Sequence, residues 1–145
     1  MAGGVSNGQK AEASVFNAAF RYSDFELTDQ STAFTIANNQ SSPANITGLI
    51  MDNTQYRSRK IIWQVYRKST STGATIRVQW GEAVVWWDDT QWNLTQLGMT
   101  SVDAGVLLDI NASTGQVTYT SDNQSGTYSS LTSVLKYYIA NTMGL

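Results

Sequence analysis

Apolar and polar residues alternate along most of the chain from Ile46 onward, with the period of two that is typical of β-strands. The clearest alternation is at 74–80, where Ala, Ile, Val and Trp occupy one set of positions and Thr, Arg and Gln the other. Further candidate strands lie at 46–51, 59–68, 83–87, 91–97, 106–110, 117–119 and 131–139, separated by stretches rich in Gly, Asn, Asp, Ser and Thr. About eight strands at this spacing predict a mainly β protein, an antiparallel β-sandwich of jelly-roll-like or Ig-like type.

The first 44 residues have a different pattern. Residues 1–10 contain three glycines and predict a flexible arm. Between Gln9 and Tyr22, apolar residues recur at helical spacing, which predicts a short amphipathic helix that either packs on its own domain or anchors the chain to a partner. The apolar positions of this helix are Ala11, Val15, Ala18 and Ala19, with Phe16 and Phe20 as an adjoining pair.

The pattern therefore divides the chain into two parts. Residues 1–44 are expected to form an N-terminal arm, a short anchor helix and a linker, and residues 45–145 the β-sandwich domain. Weak alternation at 32–37 within the linker is compatible with a short strand that pairs with a neighbouring sheet.

Three of the five tryptophans lie in one segment, 81–94, which reads as two strands joined by a turn at Asp88-Asp89-Thr90. Side chains on a strand point alternately to opposite faces, so Trp86 and Trp87 cannot both enter the same core. We expect Trp86 to face away from the core, together with Val84. A large exposed ring of this kind needs a second sheet, another subunit or a ligand as its partner.

Composition removes several classes of function. The chain has no histidine and no cysteine, which excludes Ser-His-Asp and Cys-His catalysis and typical zinc sites. A net charge of −2 argues against nucleic acid as a partner. No apolar run is long enough for a membrane span, and the N-terminus has no apolar region typical of a secretory signal. We expect no enzymatic activity, cofactor or metal.

Carboxylates are the remaining candidates for chemistry. A glycosidase pair could in principle come from Glu82, Asp88, Asp89, Asp103 or Asp109. The more ordinary interpretation places Asp109 on the solvent face of a strand and Asp88 and Asp89 in a turn. Calcium binding at the acidic turns is disfavoured, because no twelve-residue calcium loop is present.

Basic residues cluster on the strand predicted at 59–68. Arg57, Arg59 and Lys60 form the cluster, and Arg67 and Lys68 extend it. The cluster is either a solvated strand edge that blocks aggregation or a contact for an acidic or glycan partner.

Two long segments resemble a module found near the C-terminus of many tailed-phage virion proteins. One is Asp-Ala-Gly-Val-Leu-Leu-Asp-Ile at 103–110, and the other is Gly-Gln-Val-Thr-Tyr-Thr-Ser at 115–121, followed by Ser-Gly-Thr at 125–127. The strand at 59–67 is similar to the preceding strand of that module, and Val-Phe-Asn-Ala-Ala-Phe at 15–20 resembles a motif near the start of phage fibre-like proteins.

The resemblance implies a structural role in a bacteriophage virion, as a homotrimer. Residues 21–44 are too short for the long shaft of fibre-like relatives, so the resemblance favours a capsid decoration protein (a cement or head-fibre protein). Its partners would be its own copies and, through residues 1–44, the major capsid protein or another virion protein.

Candidate contact residues follow from these interpretations. For contact with subunits or the virion they are Val15, Phe16, Ala19, Phe20 and Trp86. The alternative function is a tail-fibre or receptor-binding tip that binds a host surface glycan. Its candidate contact residues are Trp86, Asp88 and Asn93.

Overall fold

The protein is described by a computed structural model, which covers residues 31–69, 76–97, 103–124 and 131–145. Within these ranges it forms eight β-strands. They are β1 (Thr32–Thr35), β2 (Ala44–Ile50), β3 (Tyr56–Ser69), β4 (Ile76–Trp87), β5 (Trp92–Leu97), β6 (Val106–Ile110), β7 (Gln116–Ser121) and β8 (Leu131–Gly144). The predicted arm and anchor helix lie outside the described residues.

The strands form two antiparallel sheets whose inner faces share one core. The large sheet has the order β1-β8-β3-β4-β5, and the small sheet the order β2-β7-β6. Buried side chains of both sheets form one apolar cluster, which confirms the predicted β-sandwich. β1, from the segment predicted as a linker, pairs with β8 at the edge of the large sheet. The chain division at residue 44 stays a prediction.

The core is richest on the inner face of β3. Ile61, Trp63 and Val65 are all buried there, as their alternation predicts. The two faces of this strand differ little in sequence, which predicts burial on both sides, but this prediction is wrong because Gln64 on the opposite face is exposed and Ile62 is only half-buried. Only one face of the large sheet is therefore covered by the small sheet.

β4 is one continuous strand where the sequence predicted two, at 74–80 and 83–87. Gly81 lies within the strand and pairs with Trp63 of β3. The inner-face phase set by Ala83 and Val85 therefore extends back to Gln79 and Arg77. The apolar positions of the same stretch consequently lie on the outer face of the sheet. They are Ile76, Val78 and Trp80.

The turn between β6 and β7 is packed against the two sheets at Gly115. The carbonyl of Gly115 accepts a hydrogen bond from the Met51 amide at 2.8 Å, and the side-chain amide of Gln116 donates to the carbonyls of Ile46 and Leu49. Gly115 has a φ of 75°, and a Cβ atom there would lie 2.8 Å from both the Met51 carbonyl and Trp92 Nε1. Glycine thus allows the close contact between this turn, β2 and β5.

We predict that Gly115→Ala lowers the free energy of unfolding by about 2–4 kcal/mol, from left-handed backbone strain plus overpacking. Gly48→Ala is the matched control, since Gly48 has a φ of 85° but no atom within 4 Å of an added Cβ. That variant should lose only about 1 kcal/mol, from strain alone. Urea unfolding of both variants measures the difference, and equal losses would contradict the packing role of Gly115.

Candidate functional site

The turn between β4 and β5 is organised by the carboxylate of Asp88. Its Oδ1 atom accepts hydrogen bonds from the Thr90 amide (2.9 Å), the Thr90 hydroxyl (2.6 Å) and the Gln91 amide (2.8 Å). Its Oδ2 atom accepts one from the Asn93 side chain at 3.0 Å. These hydrogen bonds, led by that of the Thr90 hydroxyl, hold the pKa of Asp88 well below its usual range. Asp88 is therefore an ionised turn residue, as the sequence indicated.

The two adjacent tryptophans point to opposite faces, as predicted. Trp87 packs against the core, with its ring centroid 5.6 Å from that of Trp92. Trp86 is half-exposed on the outer face of the large sheet, where Asn93 is its cross-strand partner. Since Asn93 also donates to Asp88, the structure brings together the three residues predicted as the alternative glycan contact.

The basic cluster on β3 is dispersed by the strand geometry. β3 is flanked by β8 and β4, so the interpretation as a strand edge is wrong. Arg57 pairs with Asp89, the Arg59 guanidinium lies 3.8 Å from the centre of the Tyr56 ring, and Lys60 Nζ lies 3.0 Å from Glu82. Arg67 points into the sandwich and is fully buried.

The outer face of the large sheet carries many apolar side chains. Its exposed or half-buried members are Ile62, Tyr66, Ile76, Val78, Trp80, Val84, Trp86, Leu97, Val134, Tyr138 and Met143. We call this surface the outer apolar face. The Trp86 end and the Trp80 end of this face differ in charge. Toward the Trp86 end, the positive charge of Lys60 is compensated by its pairing with Glu82.

A depression of about 300 Å³ lies toward the opposite, Trp80 end of the outer apolar face. Gln64, Tyr66, Val134 and Lys136 line it. Trp80 is the cross-strand partner of Gln64 and is 57% exposed. Lys136 forms no ion pair with any residue that the structure describes. This end of the face thus combines aromatic rings, an amide and an ammonium group.

Beneath this end, on the inner side of the sheet, the Arg67 guanidinium is completely buried and uses all five of its N–H donors. Nε donates to the Ser133 hydroxyl at 3.3 Å. Nη1 donates to the Ala104 carbonyl (2.8 Å) and to the Asp122 carboxylate. Nη2 donates to the Asn38 side chain (2.6 Å) and the Asp122 carbonyl (3.0 Å). Arg67 thereby ties together β3, β8 and three connecting segments.

Asp122 also binds a second arginine. Arg77, the cross-strand partner of Arg67, donates to both carboxylate oxygens of Asp122 at 2.9 Å. A Cβ atom at Gly105 would lie 2.2 Å from that carboxylate, so glycine, with a φ of 71°, permits the approach. Burial alone would raise the pKa of Asp122, but Arg77 and Arg67 outweigh it and lower the pKa below its ordinary value.

The carboxylates considered for catalysis have structural partners or lie apart. Asp103 accepts from the Gly105 amide at 2.6 Å, and Glu82 pairs with Lys60. Asp109 is exposed on β6, as predicted, and accepts from the Ile110 amide. Among the described residues no three carboxylates gather in a way that could hold a metal ion, and no helix there could cross a membrane.

Sequence reasoning found only part of this arrangement. The predicted contact residues Val15, Phe16, Ala19 and Phe20 lie outside the described residues. Arg67 was assigned to the basic cluster, and neither its burial nor its pairing with Asp122 was predicted, although Arg67 continues the inner-face positions Ile61, Trp63 and Val65 at intervals of two. That phase was the available signal for a buried arginine. The lining of the depression was missed because its residues come from β3 and β8, which are far apart in sequence.

Comparison with known proteins gives a structural likeness but no match in sequence. No protein-family model matches the chain, and no curated protein matches it in sequence. The chain is similar to part of the crystal structure of the tailspike protein of Acinetobacter phage vB_ApiP_P1, with a TM-score of 0.44 and 14% sequence identity. The match covers 80% of this chain, and the chain spans 22% of that tailspike.

We predict that Asp122→Asn destabilises the fold by about 1–2 kcal/mol at neutral pH. This magnitude is that of charge-assisted hydrogen bonds, reduced because Asp122 is partly exposed to water. The folded-state pKa of Asp122 lies below its ordinary value of 3.8. The contribution of ionised Asp122 to the free energy of unfolding is therefore fully present above pH 3.8, and it is lost as the pH falls through the lower folded-state pKa.

Urea unfolding from neutral pH to pH 3 checks this, with Asp109→Asn as the matched control on an exposed strand position. The difference between wild type and Asp122→Asn should shrink toward pH 3, whereas the control should stay close to wild type throughout. A deficit that does not change with pH would contradict the assigned ion pairs.

Proposed function

We propose that this chain is a non-enzymatic structural protein of a bacteriophage virion, a homotrimeric capsid decoration protein anchored through its N-terminal segment. The observation that carries the proposal is the Trp86 end of the outer apolar face. Trp86, Val84 and Ile62 are only half-buried there, and Met143 is 65% exposed. A partner that covers these side chains gains about 25 cal/mol for each Å² of apolar surface removed from water.

The charges at this end also suit a protein contact. On the sheet face beside Val84, Lys60 and Glu82 lie 3.0 Å apart and compensate each other. An interface can cover a compensated pair at lower cost than an isolated ammonium group. We therefore assign this end of the face to contact between copies of the chain.

The sequence resemblance to phage virion modules supports the virion role. Several of its residues have a structural task here: Gly105 and Gly115 permit close approach, and Gln116 binds two carbonyls of β2. The Tyr119 hydroxyl accepts a hydrogen bond from the Ala37 amide at 3.1 Å. The resemblance thus concerns residues that build the module, which fits a shared architecture more directly than a shared ligand.

We predict that the protein is a trimer in solution and that Trp86→Ala makes the free energy of trimer association less favourable by about 2 kcal/mol for each buried ring that is lost. Light scattering after size-exclusion chromatography and sedimentation at several concentrations measure this. Leu107→Ala is the control, since Leu107 is 63% exposed on the small sheet. A wild-type monomer at all concentrations would contradict the proposal.

We further predict that the protein raises the melting temperature of its capsid and that the double variant Phe16→Ser/Phe20→Ser loses this effect. Both phenylalanines belong to the predicted anchor helix, whose apolar contact the serines would remove. Calorimetry of particles with and without added protein measures the shift. An unchanged shift with the double variant would contradict the anchor, provided that the variant unfolds at the same urea concentration as wild type.

A second candidate function is a receptor-binding tip that contacts a host glycan. The observation in its favour is the meeting of Trp86, Asp88 and Asn93 at the β4–β5 turn. Host adsorption and trimer formation by Trp86→Ala separate the two functions. Lost adsorption with an intact trimer would favour the tip, whereas a dissociated protein would favour the subunit contact.

A further inference from the structure

The Trp80 end of the outer apolar face has a composition different from that of the Trp86 end. We call the depression lined by Gln64, Tyr66, Val134 and Lys136, together with Trp80 beside it, the Gln64 depression. It lies outside the subunit contact proposed above. We propose that the Gln64 depression binds an acidic saccharide, a sugar chain that carries carboxylate or sulfate groups.

The register places three different side-chain chemistries in one row across the sheet. Trp80 on β4 pairs with Gln64 on β3, and Gln64 pairs with Lys136 on β8. Adjacent strands lie about 4.8 Å apart, so the row extends about 10 Å from Trp80 to Lys136. That length accommodates two linked sugar rings. Ala33 on β1 follows Lys136 in the same row and leaves the far end open.

Each member of the row suits one feature of such a ligand. The face of the Trp80 ring offers a flat apolar surface with a negative quadrupole, which suits the C–H face of a pyranose. The Gln64 amide both donates and accepts, as neighbouring sugar hydroxyls require. The Lys136 ammonium group binds a carboxylate or sulfate through a charge-assisted hydrogen bond.

The charge of the Trp80 end favours an acidic ligand over a neutral one. Lys136 and Lys68 both lie on this end of the outer apolar face, and neither forms an ion pair with the residues that the structure describes. No outer-face position of β4 from Ile76 to Trp80, or of β3 from Gln64 to Lys68, is a carboxylate, and the nearest one, Glu82, is already paired with Lys60. The end is therefore locally positive and attracts an anion.

The same lysines argue against a second copy of the chain as the occupant. An apolar protein surface laid over Lys136 would bury an ammonium group that has no described counter-ion, which is costly. Gln64 is exposed in the middle of the central strand β3, and its amide would also need a partner under such a cover. A hydrated, hydroxyl-rich anion satisfies both groups.

Binding is tested with the full-length protein and three acidic probes, namely tetragalacturonate, a hyaluronate tetrasaccharide and sialyllactose. Maltotetraose and lactose are the neutral comparisons. We expect at least one acidic probe to bind at millimolar concentration or below, with affinity that falls as salt is added. The Trp80 indole N–H signal, assigned by its absence in Trp80→Phe, should shift in the nitrogen–proton NMR spectrum.

The variants locate the site. Trp80→Ala should weaken binding roughly tenfold, and Lys136→Gln roughly threefold with a weaker salt dependence. Lys68→Gln is the matched control, because it removes the same charge from the same face outside the depression. It should have a smaller effect than Lys136→Gln, and Leu107→Ala on the small sheet should have none on binding.

Several outcomes would overturn the proposal. They are no binding of any acidic probe, equal binding of the neutral ones, equal binding of polyglutamate as a simple anion, and equal losses in Lys136→Gln and Lys68→Gln. The trimer measured on the same samples tests the proposed function separately. A trimer that binds no acidic probe would remove this inference alone, and a monomer that binds one would remove only the trimer.

Discussion

The buried guanidinium of Arg67 is the constraint on which one end of the sandwich depends. A charge without access to water is tolerated only when its donors are satisfied, and all five donors of Arg67 have acceptors. Two of these acceptors belong to Asp122, which Arg77 also holds. The segments around Asn38, Ala104 and Asp122 therefore close together around Arg67, because each supplies it with an acceptor.

This polar interior determines what the opposite side of the sheet presents. Side chains alternate along β3 and β4, so placing Arg67, Arg77 and Gln79 inside puts Tyr66, Val78 and Trp80 outside. A slip of one residue would bring the apolar set inward but would expel Trp63 and Val85 from the core. From Ile61 to Lys68 the pairing of β3 with β4 keeps one phase, and an apolar outer face at this end is the consequence.

Residues that build the fold and residues that offer a surface are largely different in this protein. The segments that resemble phage virion modules contribute Gly105, Gly115 and Gln116, which pack turns against strands. The surfaces to which we assign partners use Trp80, Trp86 and Lys136, which the core does not need. A module of this kind can keep its architecture while its outer face changes, because the first set lies in the small sheet and its turns and the second on the outer face of the large sheet.

The sequence by itself determined the β class, the approximate strands, the turn at Asp88 and the opposite orientation of Trp86 and Trp87. All of these depend on local alternation and on turn chemistry. Only the tertiary structure decided that β4 continues through Gly81, that Arg67 is inside, and that Gln64, Lys136 and Trp80 form one row. A period of two defines two faces of a strand but does not say which face is covered. That choice depends on the second sheet and on acceptors such as Asp122, 55 residues away from Arg67 along the chain.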